Sequence, residues 1–475
     1  MNLAIKNTRL LTFKGENLGI IDDGAIGIDG SKICFIGESK NLDQKNYDKV
    51  IDGSKHVIMP GLVNAHIHTV LTILRGGAQD LPELQWMNKG IGPISKHMKS
   101  EDFIVGAKLG VLEGLKSGTT TFAEYTSNVS TLVEKVFLPF NVRVVATETI
   151  NEVSRNRAHL KPTDIYEFDK EKGEAAFKRA NELFAKYQNS ELVSCMYGPQ
   201  AIDMISLDLL SSIREEAIAR KSKIHVHVAQ GGRERLQIQG RFGKDASTVK
   251  VLDKNNLLDE NLLAVHCHDT SEDEREIMVK KGVKMVGCPS SICMIDGIVP
   301  PVGHFNSLGG DVGLGSDQAP GPGLHNMFCE MRTISVLTKA MLRDPTALPA
   351  WEVLRIATVG GAKILGLDSK IGSLEVGKQA DVIMVNLNSL NLAPAVQKPF
   401  RNYIPNLVYS STGYEVDNVI INGKEIIVNK NFVSINQEEV LKEANLRAQR
   451  IFGDATEDWT KAGSQLVNYA KKGFL

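Results

Sequence analysis

At 475 residues, with 42% hydrophobic and 23% charged side chains and a formal net charge of −1, the chain has the balance of a globular protein with a large core. No excess of basic charge marks a surface for nucleic acid or an anionic membrane, and no apolar run is long enough to span a bilayer. The opening Met1-Asn2-Leu3-Ala4-Ile5-Lys6 lacks a signal-peptide pattern, and Cys34, Cys195, Cys267, Cys288, Cys293 and Cys329 are scattered without C-x-x-C spacing. A cytoplasmic protein with reduced thiols is expected.

Residues 2 to about 56 read as short strands. Leu3–Phe13, Ala25–Ile28 and Ile33–Ile36 carry the apolar content, with turns expected at Asp22-Asp23-Gly24 and Asp29-Gly30-Ser31. From Val57 strands and helices alternate. Strands are expected at 57–68, 119–125, 142–150, 192–200, 223–230, 262–269, 283–288 and 311–317, with helices at 101–116, 170–188, 206–220, 271–281 and 326–341. About eight such units predict a (β/α)8 TIM barrel; a doubly wound sheet is disfavoured because no Gly-x-Gly-x-x-Gly follows a strand. After about residue 368 β texture returns in 371–381, 382–386 and 419–428. These segments are expected to pair with the N-terminal strands in a β-sandwich built from both chain termini. The expected division is a composite sandwich over 1–58 and 368–430 and a metal-dependent barrel over 59–367. A C-terminal helix (about Glu438–Ile451) and tail occupy 431–475.

In such a barrel the chemistry belongs at the C-terminal strand ends. His66 and His68 end the first strand, two residues apart and so on one face. Lys223-Ile-His225-Val-His227-Val-Ala-Gln230 carries a second His-x-His pair, and Leu262-Leu-Ala-Val-His266-Cys-His268-Asp269 a third cluster. Gly313-Leu-Gly-Ser-Asp317 ends a short strand on a carboxylate. Of the eleven histidines only His56, His97, His159, His304 and His325 fall elsewhere. Imidazoles and a carboxylate converging from distant strands describe a catalytic divalent-metal site with a position open to water. A closed structural site draws instead on local Cys/His knuckles.

The ordered motifs are Pro60-Gly-Leu-Val-Asn-Ala-His66-Ile-His68, Leu74-Arg-Gly-Gly, Gly118-Thr-Thr-Thr121, His227-Val-Ala-Gln230, Ala264-Val-His266-Cys, Gly315-Ser-Asp317 and Ile371-Gly-Ser-Leu-Glu-Val-Gly-Lys-Gln-Ala-Asp381. Together they resemble the amidohydrolase superfamily, in particular its cytosine-deaminase-like branch. That branch holds triazine hydrolases, S-adenosylhomocysteine/methylthioadenosine deaminases and creatinine-deaminase-like enzymes. The resemblance spans nearly the whole chain. It implies a barrel flanked by a β-sandwich, with His66, His68, His227 and Asp317 holding one divalent ion, most often zinc, with iron or cobalt also suited. It selects His227 over His225. It also implies that His266 contacts the group under attack and that Asp317 takes a proton from the metal-activated water.

The chain departs from that pattern at several positions. Gln230 stands where relatives carry a proton-shuttling Glu, and an amide is neither acid nor base. Glu124, ending Thr119-Thr-Thr-Phe-Ala-Glu124, is a candidate substitute that would reach the substrate. In the segment 80–95, which resembles the family's lid, Gly92 replaces an aromatic residue. Ser95 replaces a Glu that grips ribose hydroxyls, which argues against an adenosine-type substrate. Gly287 and Ile292 make one wall less polar, and Trp86 could stack on a flat ring. His268 and Asp269 are candidate supports behind the site.

The sequence thus predicts a metal-dependent aminohydrolase that releases ammonia from an amidine- or guanidine-like carbon of a small nitrogen heterocycle. Creatinine-, cytosine- and aminotriazine-like substrates fit, with Asp317, His266 and Gln230 at the chemistry and Trp86, Gln230, His266 and Glu124 against the substrate. The alternatives are hydrolysis of a urea, carbamate or chloro-substituted carbon, or a non-catalytic binding relative. The partner is a small molecule, not nucleic acid or membrane, and a homo-oligomer is expected from the resemblance.

Overall fold

The computed structural model describes residues 2–154 and 164–475, so His159 lies outside the described residues. Eight strands form one parallel sheet in sequential order: β1 (Leu62–Ile67), β2 (Thr119–Thr126), β3 (Arg143–Ile150), β4 (Val193–Pro199), β5 (Ile224–Val228), β6 (Leu262–His266), β7 (Lys284–Gly287) and β8 (Val312–Leu314). A parallel bridge between Ile67 and Asp317 joins the last strand to the first. The ring closes, as the strand–helix alternation predicts.

Helices Ser100–Lys116, Lys170–Tyr187, Leu207–Ala219, Glu272–Lys280 and Met327–Leu342 lie where apolar periodicity places them. Others carry no such signal. Gly232–Phe242 buries Arg233, Glu234 and Gln237 beside a single apolar residue, Ile238, so its inward face reads as a polar loop. The short helix Pro289–Ile295 after β7 is likewise set by its Pro at the first turn rather than by period.

Both chain ends meet in a nine-stranded sheet. Asn2–Leu11 pairs antiparallel with Ile20–Asp29 and parallel with His56–Pro60, which in turn pairs antiparallel with Val382–Asn386. The single strand expected over 57–68 is therefore two. His56–Pro60 belongs to the terminal sheet, and the chain crosses to the barrel at Gly61, where a Cβ would fall 2.0 Å from Thr120 Oγ1. The hairpin turn at Gly30-Ser31 forms, with Gly30 at φ +57°. Asp22-Asp23-Gly24 makes no turn: it sits inside Ile20–Asp29, opposite a register shift between Thr8 and Leu10 that absorbs one extra residue. Residues 371–381 are no strand either. Gly372 (φ +87°) and Gly377 (φ +93°) break the extended run, which is tied to the sheet by a bridge from Lys32 to Gln379 and by backbone bonds such as Ile33 N–H to the Lys378 carbonyl (2.9 Å) and Gly377 N–H to the Ile33 carbonyl (2.8 Å).

The tail is helical. Gln437–Asp454 is followed by Thr456–Ala462 and Gln465–Lys471. These helices lie against the lid: Asp458 bonds Lys96 at 2.7 Å and His97 at 2.8 Å, and Trp459 and Tyr469 pack with Leu81, Trp86, Ile91 and Ile94. Arg447 and Arg450 close on the fully buried Asp102 of the helix behind the lid.

Candidate active site

The strand ends bring four side chains to one point. His66 Nε2 is 3.2 Å from His227 Nε2 and 3.6 Å from Asp317 Oδ1, which is 3.4 Å from His68 Nε2. Edges of about 3.3 Å are what ligands at about 2.0–2.1 Å from a tetrahedral ion would make. Each imidazole has its other nitrogen engaged. His66 Nδ1 meets His225 Nε2 at 2.9 Å, His68 Nδ1 meets the Tyr125 carbonyl at 2.7 Å, and His227 Nδ1 meets the Gln200 carbonyl. Such bonds fix the tautomer and aim Nε2 inward. Burial, reinforced by neighbouring imidazoles, pushes His66 well below its ordinary pKa and His227 down to about 4. Neutral rings are the form that binds metal. The donor set fits a divalent ion.

His225 and His227 share a face but not a depth. His225 lies fully buried, bridging His66 and Thr147 Oγ1 (3.3 Å), and orients His66 from behind. His266 is also close, its ring stacked on that of His227 with centroids 5.2 Å apart, and its Nδ1 has no partner among the described residues. One of its ring nitrogens is near enough that His66, His227 and His266 form a second, overlapping set able to hold an ion.

Ser291, from the helix after β7, donates to Asp317 Oδ2. Burial acts to raise the Asp317 carboxyl, but His266, His68 and this bond outweigh it and hold the group below its usual range. No sequence signal singled out Ser291.

A cavity of about 240 Å³ opens over the cluster, walled by Leu71, Trp86, Met87, Met204, Ile292 and Ile295, with Gln200, Gln230, Glu83 and Asp296 among its polar lining. Trp86 and Gln230 both line this cavity. Glu124 does not reach the cavity. Phe122 packs outward on the helix at Gly114, and alternation puts Glu124 on that same face, where it accepts from Thr69 N at 3.2 Å. Its inward neighbour is Tyr125, whose ring lies 5.5 Å from His66. Burial raises Glu124 to about 8.

Ser95 is spent on its own helical turn, donating to the Gly92 carbonyl at 3.4 Å. The lid instead sends in Glu83, whose Oε1 is 3.2 Å from Nε of the buried Arg233. Asp269 pairs with Arg235 at 2.6 Å, whereas His268 faces Asp296.

A closed parallel barrel with this imidazole–carboxylate cluster at its carboxyl-terminal mouth defines a metal-dependent hydrolase. The chain belongs to the amidohydrolase family, whose model matches residues 57–426. It is 33% identical over 456 residues to the 5′-deoxyadenosine deaminase of Methanosarcina acetivorans, covering 96% of this chain and 99% of that one. It is also 33% identical over 456 residues to the 5-methylthioadenosine/S-adenosylhomocysteine deaminase of Thermoanaerobacter pseudethanolicus (95% and 99% covered). Among solved structures it is similar to an adenosine deaminase from Xanthomonas campestris with bound zinc, at TM-score 0.85 and 26% identity, covering 94% and 98%. The fold is shared with the zinc complex of atrazine chlorohydrolase from Arthrobacter aurescens (TM-score 0.82, 19% identity, 94% and 100% covered). The protein is a metal-dependent amidohydrolase acting on C–N bonds. No helix among the described residues is long and apolar enough to cross a membrane.

Proposed function

We propose that the protein is a zinc-dependent aminohydrolase that removes the exocyclic amine of an adenosine-type nucleoside, with His66, His68, His227 and Asp317 as ligands of a single ion. The observation that carries this is the arrangement of three Nε2 atoms and Oδ1 of Asp317, opening onto a slot with aliphatic, Met and Trp walls suited to a flat ring. The relatives' names turn the choice of substrate away from creatinine, cytosine and aminotriazines and towards adenosine derivatives. The absence of a carboxylate at Ser95, which argued against a ribose, is offset by Glu83: it enters the same cavity, anchored by Arg233, and can accept from a sugar diol.

A divalent ion held by the cluster would polarise a water and lower its pKa toward about 7. Asp317, steadied by Ser291, accepts the water's proton and passes it to the departing amine. His266, beside His227, stabilises the oxygen that develops on the attacked carbon. Trp86 stacks on the ring and the aliphatic wall excludes bulk water. The free cysteines accord with a reducing, cytoplasmic setting.

The amide at Gln230 favours a second reading, hydrolysis of a chloro- or urea-type carbon, which depends less on ring protonation. A zinc-loaded panel of 5′-deoxyadenosine, methylthioadenosine, S-adenosylhomocysteine, adenosine, cytosine, creatinine, aminotriazines and phenylureas separates the two by ammonia and product mass, with His66→Ala as control. Ammonia from the adenosine derivatives is expected. Chloride or alkylamine release in its place would promote the second reading.

A further inference from the structure

Removing an amine from a ring carbon calls for a proton on the adjacent ring nitrogen, and Gln230 cannot give one. Among the other titratable groups lining the cavity, His68 and His227 point Nε2 into the cluster, burial pushes His266 well below its ordinary pKa, and Glu83 is tied to Arg233. Asp296 is different. It caps the C-terminal end of Pro289–Ile295, where the helix carbonyls disfavour a negative charge. Neither a cation nor a hydrogen-bond donor among the described residues is bound to its carboxyl. The groups facing it are Glu83 from the lid, Asp317 from the end of β8, and His268 from the end of β6, whose Nε2 is 3.6 Å from Oδ2. Burial lowers His268 to about 4, so that ring is neutral. Burial, with Glu83 and Asp317 adding to it, raises Asp296 to about 7.

The carboxyl is also in the right place. Gly231 follows Gln230 at φ +116°, and a Cβ there would lie 3.8 Å from Asp296 Oδ1, 3.4 Å from Glu83 Oε2 and 3.3 Å from His268 Nε2. Asp296 therefore lies close beside the strand end that carries Gln230. Both residues line the same cavity as His266 and Asp317.

We propose that Asp296 is the general acid of this enzyme, giving its carboxyl proton to the ring nitrogen of the bound aminoheterocycle. This rests on the deaminase reading above. Water's oxygen forms the new C–O bond and its first proton passes to Asp317. Asp296 protonates the ring nitrogen, the C–N bond breaks with its electron pair on nitrogen, and the amine leaves as ammonia with the proton from Asp317. As the carbonyl forms, water's second proton restores Asp296. One water and one aminoheterocycle become one oxo-heterocycle and one ammonia.

Two measurements on the full-length, zinc-loaded protein test this. The infrared difference between wild type and Asp296→Asn reads the carboxyl itself: a protonated band at about pH 6 that is gone above about pH 8 is expected. A carboxylate already ionised at about pH 5.5 overturns the proposal. In kinetics, Asp296→Asn is expected to lose about 10²-fold or more in kcat/KM with zinc content unchanged, along with the alkaline fall in rate. Adding Gln230→Glu to that variant returns a carboxyl to the same wall and is expected to recover about tenfold. An unchanged kcat/KM overturns the assignment, as does a loss that Gln230→Glu fails to relieve. A wild type that releases no ammonia from any aminoheterocycle overturns the deaminase reading instead, and the infrared titration still decides whether Asp296 holds the proton.

Discussion

The backbones of His66 and Asp317 are bonded to each other: Asp317 N–H donates to the His66 carbonyl at 3.0 Å, and the Asp317 carbonyl accepts from His68 N–H at 3.0 Å. The seam that closes the barrel is made by residues of the proposed ligand set. An ion held by His66, His68 and Asp317 would tie the first strand to the last and so stabilise the closed ring as well as the site. Saturating zinc at about 100 times Kd should add about 2.7 kcal/mol. A thermal scan with and without chelator reads this as a shift in Tm, and Asp317→Asn should abolish the shift.

Gln230→Glu in the wild-type background should lower kcat/KM for deamination about tenfold, because it sets another carboxylate beside Glu83 and Asp296. Steady-state ammonia release checks this. A gain would mark a site crippled by its amide.

Glu124→Gln should leave kcat/KM nearly unchanged, because Glu124 faces the helix layer. Its effect is on stability. The folded protein holds the Glu124 proton up to about 8, whereas the unfolded chain releases it near the ordinary 4.5. Stability therefore falls as pH rises between those values, by up to about 1.4 kcal/mol per pH unit. Urea midpoints across that range should show a shallower slope in the variant.

His325 works in the opposite direction. It is fully buried between Thr72 Oγ1 and Ser316 Oγ, each at 2.9 Å, and burial lowers it to about 3. Below about 6.5 the unfolded chain takes up a proton that the folded protein refuses, so stability drops as pH falls toward 3. His325→Gln should flatten that acid limb in the same urea titration.

The strand ends were legible because His-x-His spacing and strand period coincide, and because a closed barrel turns such ends toward one mouth. Depth was not. His225 and His227 share a face, and only the stagger of β5 against β1 sets one behind His66 and the other in front. Glu124 was misplaced by one step of alternation, since Tyr125 takes the inward position. Glu83, Ser291 and Asp296 come from a lid turn and a short helix, where no period announces which side chain looks inward.

The last forty or so residues carry no group near the imidazole–carboxylate cluster, yet Trp459 and Tyr469 pack in the same apolar cluster as Trp86, and Asp458 holds Lys96 and His97 of the lid. With Trp86 stacked on the substrate as proposed, the far end of the polypeptide would shape ring selectivity without touching the ring. Exchanging this segment for that of a relative should carry ring preference with it while leaving metal affinity as it was. An added C-terminal peptide should likewise be felt in KM before it is felt in folding.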